Sequence, residues 1–214
     1  MTKHFELSAY LVTDRTLCGP RGIEAVVARA IEGGVSLVQL RNPEAKTGFL
    51  VDQARALLAL LRPAGIPLII NDRVDVALAV GADGVHVGQL DMTVPDVRAL
   101  VGSGLIVGLS VSTLAQLERS AAVLAGVDYL GVGPIFATQT KPDAATPIGP
   151  SGLAAVVAAT QLPVVAIGGL KRSNAATAIR AGAAGVAVVS EICCAEDPAL
   201  ATRELARVVR EARG

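Results

Sequence analysis

Two aspartates, Asp72 and Asp91, each stand just after a short apolar run. Brought side by side, two carboxylates can share one hard cation through oxygen. The other coordination positions then go to water and to ligand phosphates, which is how Mg2+ is commonly held. Either carboxylate alone serves equally as a helix cap or a turn former. Cations stand at comparable places in the chain: Arg41, Lys46, Arg73 and Lys141, interleaved with the neutral donors Asn71, Ser110 and Thr140. An isolated lysine or arginine is usually a solvated surface group. Gathered on one rim, this set would cradle an oligophosphate. Gln39 offers hydrogen bonds to a heterocycle. His86, inside the apolar run Gly84–Gly88, is expected either as a satisfied structural group or as a secondary site residue. Gly168-Gly169 and Val189-Ser190 each end an apolar run as well. Glycine lets a backbone approach an anion closely, although a tight turn needs it for the same conformational reason.

What must position these residues is a repeat of apolar strand, turn and helix. Eight candidate strands follow one another: Ala9–Thr13, Leu37–Leu40, Pro67–Ile70, Gly84–Val87, Leu105–Leu109, Tyr129–Val132, Val164–Ile167 and Gly185–Val189. Most are continuous apolar runs rather than alternating ones, the pattern of parallel strands covered on both faces. Helical stretches lie between them at Glu24–Glu32, Leu50–Leu61, Val74–Val80, Leu114–Leu124 and Asn174–Arg180, with a closing helix at Pro198–Arg213. Glycines mark helix ends ahead of the next strand, and Gly-Ala turns recur at Gly81-Ala82 and Gly182-Ala183. The reading is an α/β single-domain (β/α)8 TIM barrel over residues 1–214, with a doubly wound open sheet as the alternative. Eight units without a dinucleotide fingerprint favour the barrel. In that fold chemistry sits where strands end and helices begin, and phosphate is often held after the seventh and eighth strands. The candidate residues fall at those strand ends, whereas strand interiors are nearly pure hydrocarbon.

Composition narrows the classes. The chain has 214 residues, no formal net charge, and is 52% hydrophobic with 2% aromatic residues. The core must therefore be built from Ala, Val, Leu and Ile, which suits an α/β fold. Zero net charge gives no support for a nucleic-acid partner. The apolar runs carry glycines and are too short to span a membrane, and the N-terminus lacks a signal-peptide pattern. Cys18 and the adjacent Cys193-Cys194 form a poor disulfide framework, so a reducing, cytoplasmic setting is expected. Partners are expected to be phosphorylated small molecules, and a homo-oligomer is compatible with this sequence.

The motifs also carry a resemblance. Ile69-Ile70-Asn71-Asp72-Arg73-Val74-Asp75 leads into Gly81-Ala82-Asp83-Gly84-Val85-His86-Val87-Gly88-Gln89-Leu90-Asp91. Tyr10–Asp14, Val38–Arg41, Gly108–Ser110, Val132–Phe136, Thr138–Lys141 and Ala166–Gly169 complete an ordered set over nearly the whole chain. Together they resemble the thiamine phosphate synthase family. The resemblance implies a TIM barrel that condenses a hydroxymethylpyrimidine diphosphate with a hydroxyethylthiazole phosphate, with Mg2+ as cofactor. It implies Asp72 and Asp91 as metal ligands. It implies Gln39, Arg41, Asn71, Ser110 and Lys141 as pyrimidine-diphosphate contacts, with Arg41, Asn71, Ser110 and Lys141 acting in catalysis. It implies Thr138, Thr140, Gly169, Val189 and Ser190 as thiazole-phosphate contacts. Pro43 stands where the family carries a lysine, and Lys46 is the cation downstream on the same loop that is available to replace it. The alternatives are a thiazole tautomerase, which would lack the diphosphate and metal set, and a non-catalytic phosphate-binding barrel.

Overall fold

The computed structural model describes residues 5–140 and 145–214. Eight parallel strands close into a barrel in simple sequence order. They are β1 (Ala9–Val12), β2 (Leu37–Leu40), β3 (Leu68–Asn71), β4 (Gly84–Val87), β5 (Ile106–Val111), β6 (Tyr129–Val132), β7 (Val164–Ile167) and β8 (Gly185–Val188). Each pairs with its successor, and β8 returns to β1 through Ala9↔Val186, Tyr10↔Ala187 and Leu11↔Val188. Helices α1 (Arg15–Cys18), α2 (Gly22–Glu32), α3 (Thr47–Leu61), α4 (Val74–Val80) and α5 (Val94–Val101) surround the first half. Helices α6 (Leu114–Arg119), α7 (Gly149–Ala158), α8 (Ala175–Arg180), α9 (Ser190–Cys193) and α10 (Pro198–Arg213) surround the second.

Alternation of side chains along each strand makes two cores. Residues facing outward pack with the helices in the larger one, with Leu11, Val38, Ile70, Val85, Leu130 and Val186 among them. Residues facing inward, including Tyr10, Leu37, Ile69, Ile106, Tyr129 and Val165, fill the barrel itself. Continuous apolar runs were the expected signature of that double burial. The third and fifth strands are shifted from their sequence-based bounds. Asn71 and Ser110 lie within β3 and β5 rather than after them. The pleat then aims them as it aims their inward neighbours two residues earlier, Ile69 and Gly108. The helix expected over 114–124 stops at Arg119. There the Ser120 hydroxyl donates to the Gln116 carbonyl at 2.9 Å, and tighter 3-10 turns continue through Gly126.

Local chemistry sets the strand-to-helix turns. Asp14 accepts from the Leu17 N–H at 2.9 Å to start α1, and Thr113 accepts from Gln116 N–H at 3.2 Å to start α6. Asp197 caps α10 ahead of Pro198 at the first helical position. The turn after β3 is less ordinary. Asp72 has φ +59°, a left-handed backbone that only short polar side chains and glycine adopt readily.

Candidate active site

The C-terminal ends of the strands open into one pocket that descends to the barrel interior. From the first half of the barrel, Gln39, Arg41, Asn71, His86 and Ser110 line it. From the second half, Thr138, Thr140, Gly169, Val189 and Ser190 line it. Lys141 lies outside the described residues. Asp72 and Asp91 flank the pocket at the Asn71 side. The Asn71 amide donates to the Asp72 carboxylate at 2.6 Å, and the Asp91 carboxylate accepts from Gly88 N–H at 2.8 Å.

The two carboxyls meet, and their electrostatics follow. Burial, then the charge of Asp91 and its hydrogen bond, push the Asp72 carboxyl up from 3.8 to about 6, against the Asn71 amide and the Arg41 charge. Such a pair of oxygen donors, Asp72 on a left-handed backbone and the two carboxylates mutually repelling, fits a hard divalent cation with a bound diphosphate completing its shell. Among the described residues no group of three or more His, Cys, Asp or Glu side chains could hold a metal. The remaining ligands would thus come from water and substrate oxygens. A consequence can be measured. A carboxyl with a raised folded-state pKa binds its proton more tightly when folded. Its stabilising effect is therefore complete below about pH 4 and lost as pH rises to about 6. His86, whose pKa is pulled down to about 4, acts in the opposite sense over the same interval, so the reading is a difference: with chelator present, the melting temperature of Asp72→Asn relative to wild type should rise between about pH 4 and pH 6. Parallel profiles for the two proteins would refute the coupling.

Two expected cations are placed differently from what sequence proximity suggested. Lys46 is exposed at the start of α3, where its carbonyl accepts from Leu50 N–H at 3.0 Å, and it does not line the pocket. A turn closed by Ala45 N–H on the Asn42 carbonyl at 3.1 Å carries the chain from Arg41 to that helix start. Arg73 is held by Asp75 at 2.5 Å and by Thr47 at 2.9 Å, also outside the pocket. Lys171, which the sequence reading passed over, does line the pocket, beside Gly169. Asn174 secures that loop by accepting from Lys171 N–H at 2.8 Å and donating to the Gly169 carbonyl at 3.0 Å.

The opposite wall is packed to backbone tolerance. Gly168 and Gly169 have φ +91° and +64°, and the loop after β6 bonds across to β7 through Phe136 N–H on the Gly168 carbonyl at 3.0 Å. The pocket floor is a buried polar chain: Gln39, Tyr10, Tyr129, His86 and Ser110, with successive contacts of 2.7, 2.8, 2.9 and 2.8 Å. Burial pulls His86 down to about 4, so it is neutral near pH 7. Tyr10 and Tyr129 were missed as site residues. Each sits in an apolar run and reads there as an ordinary core aromatic.

The arrangement has two anion-ready walls over one polar floor. The first holds Arg41, Asn71 and the carboxylate pair; the second holds Thr138, Thr140, Gly169 and Ser190. It suits two phosphorylated ligands meeting above the barrel. The family model described as thiamine monophosphate synthase matches residues 9–192. The thiamine-phosphate synthases of Xanthobacter autotrophicus and Azorhizobium caulinodans are 57% and 53% identical over 213 residues, covering 100% of each chain. Among solved structures, thiamine phosphate pyrophosphorylase from Pyrococcus furiosus superposes with a TM-score of 0.87 at 37% identity, over 97% of this chain and 98% of that one.

Proposed function

The chain belongs to the thiamine monophosphate synthase family, and on that premise we propose how its pocket residues divide the work. It is a transferase that joins 4-amino-2-methyl-5-hydroxymethylpyrimidine diphosphate to 4-methyl-5-hydroxyethylthiazole phosphate, giving thiamine phosphate and pyrophosphate. The observation that carries the division is the pairing of Asp72 and Asp91 next to Asn71 and Arg41, across the pocket from Gly169 and Ser190. The diphosphate occupies the first wall and the monophosphate the second, where barrels commonly hold one.

Arg41, the Asn71 amide and the Ser110 hydroxyl bind the diphosphate, with Lys141 as a further cation. Asp72 and Asp91 would hold Mg2+. Bound there, the ion supplies charge neutralisation to the departing phosphate oxygens. As the C–O bond to the methylene carbon breaks, its electron pair leaves with pyrophosphate. The amino group and ring nitrogens of the pyrimidine donate density to the methylene cation. Arg41, Asn71 and Ser110 are most effective when charge on the leaving oxygens is greatest, so they stabilise the transition state over bound substrate. Thr138, Thr140, Gly169, Val189 and Ser190 hold the thiazole phosphate so that the thiazole nitrogen lone pair forms the new C–N bond. No protein nucleophile takes part. Gln39 orients the heterocycle at the floor.

We take residues 1–214 as one catalytic domain, since α10 packs back on β1 and α2. Free cysteines at 18, 193 and 194 suit a reducing compartment, and we place the enzyme in the cytoplasm. No helix among the described residues is long and apolar enough to cross a membrane. The test is a coupled assay for pyrophosphate release. It should require both substrates and a divalent cation. Turnover of the thiazole phosphate alone, without pyrophosphate, would instead indicate a tautomerase.

The two lysines separate cleanly. Lys46→Ala should leave Mg2+–pyrophosphate affinity within about twofold in calorimetry, the scale of a solvated surface charge. Lys171→Ala should raise KM for the thiazole phosphate by roughly two- to fivefold, because an exposed ion pair contributes about 0.5–1 kcal/mol. Its KM for the pyrimidine diphosphate should stay unchanged. The reverse pattern would interchange the walls.

A further inference from the structure

The buried chain at the pocket floor has a direction. A carboxamide N–H only donates, and the Gln39 Nε2 group lies 2.7 Å from the Tyr10 hydroxyl oxygen. Tyr10 therefore accepts there and places its own proton on its other partner among the described residues, the Tyr129 oxygen at 2.8 Å. Tyr129, having accepted, donates to His86 Nδ1 at 2.9 Å. A neutral imidazole with Nδ1 as acceptor carries its proton on Nε2, which faces the Ser110 oxygen at 2.8 Å. Ser110 thus accepts from below, and its O–H is left to point into the pocket. The opposite order would set the Tyr10 O–H against the Gln39 N–H, two donors head to head between buried side chains.

The barrel is shaped around this chain. Gly108 and Gly131 have ordinary backbone conformations, so flexibility does not account for them. A Cβ on Gly108 would overlap His86 Nδ1 and the Tyr129 ring, and one on Gly131 would lie 2.9 Å from His86 Cε1. Two inward-facing positions are thus kept bare where these rings lie.

We infer that Gln39, Tyr10 and Tyr129 are positioning residues that lock His86 as its Nε2–H tautomer and so present Ser110 to the substrate as a hydrogen-bond donor. A donor at Ser110 favours a phosphate oxygen that gains negative charge as it departs. A lone pair at the same place would repel it. The catalytic consequence rests on the proposed seating of the diphosphate beside Ser110, whereas the tautomer does not.

The test is 15N–1H NMR of the imidazole nitrogens in the full chain. The protein has two histidines, so His4→Gln assigns the His86 signals. The expected result at neutral pH is a protonated Nε2 and an unprotonated Nδ1. A protonated Nδ1, or an even mixture of tautomers, would overturn the inference in the wild-type protein itself, without recourse to a variant. Tyr129→Phe removes the donor to Nδ1. It should produce a tautomer mixture and lower kcat by about tenfold, the scale of losing an orienting outer contact, with both KM values within about twofold. An Nε2–H tautomer unmoved in Tyr129→Phe, or a kcat unchanged, would also overturn it. If pyrophosphate release requires Ser110 yet the wild-type tautomer is wrong, the proposed function stands and this inference falls.

Discussion

Asp91→Asn should lower the rate of pyrophosphate release by at least ~100-fold while leaving the barrel intact. The estimate takes the cation at this site to supply roughly 3 kcal/mol of leaving-group stabilisation, and each ~1.4 kcal/mol is tenfold in rate. The substitution is nearly isosteric, and an asparagine oxygen can still accept from Gly88 N–H, so the loop keeps its brace. Asp72→Asn should fall as far. Asparagine tolerates the left-handed backbone at this position at least as well as aspartate, so the variant should fold. Steady-state rates at rising Mg2+ give the discriminating reading. A weakened site shows partial recovery at high Mg2+, whereas a merely distorted pocket shows none. Folded Asp72→Asn and Asp91→Asn proteins with wild-type turnover would remove the metal assignment.

Gly169→Ala should damage both stability and monophosphate binding. The new Cβ would lie 2.6 Å from the Ala137 carbonyl oxygen and 2.8 Å from Phe136 Cβ, and φ is +64°. The left-handed conformation costs a non-glycine residue about 1–2 kcal/mol. Overpacking adds roughly 1–3 kcal/mol. For a chain of this size the melting temperature should drop by about 5–15 °C. Below that temperature, KM for the thiazole phosphate should rise while pyrophosphate affinity holds. Gly34→Ala is the internal control: φ is +88° there, yet nothing lies within 4 Å of an added Cβ. It carries the backbone strain without the collision. Equal melting temperatures for the two variants would mean that the wall at Gly169 yields freely and that its tight packing is unimportant.

The fold was legible because its two signals are one-dimensional. Continuous apolar runs announce strands buried on both faces, and glycines after helices announce the turns back to the next strand. Strand ends were read to within one or two residues. The small shifts at Asn71 and Ser110 matter because they turn loop residues into inward-facing strand residues. The pocket lining was legible where it follows position at a strand end, as at Arg41, Gly169 and Ser190. It was illegible where it follows side-chain direction. Arg73 stands one residue from Asp72 in sequence, but Asp75 and Thr47 hold its guanidinium. Lys46 looked like a substitute for the lysine absent at Pro43, but its place at the start of α3 was not visible in the loop sequence. Tyr10 and Tyr129 carry the opposite lesson. Their surroundings in the chain are hydrocarbon, and only closure of the barrel brings their hydroxyls within 2.8 Å of each other.

Closure also governs how the chain must fold. Tyr10 pairs with Ala187, so the first strand finds its second neighbour only after the chain through β8 exists. During synthesis at ~5–20 residues per second, β1 leaves the ribosome roughly 10–35 s before β8 does. Throughout that time Ala9–Val12 offers an unsatisfied strand edge of four apolar residues, each fully buried once folding is complete. Such an edge is a template for pairing with another nascent chain. Pairing with β2 protects only one side of it. The same seam that lets the barrel dispense with free edges therefore leaves the nascent protein open to pairing with its neighbours until β8 has been made.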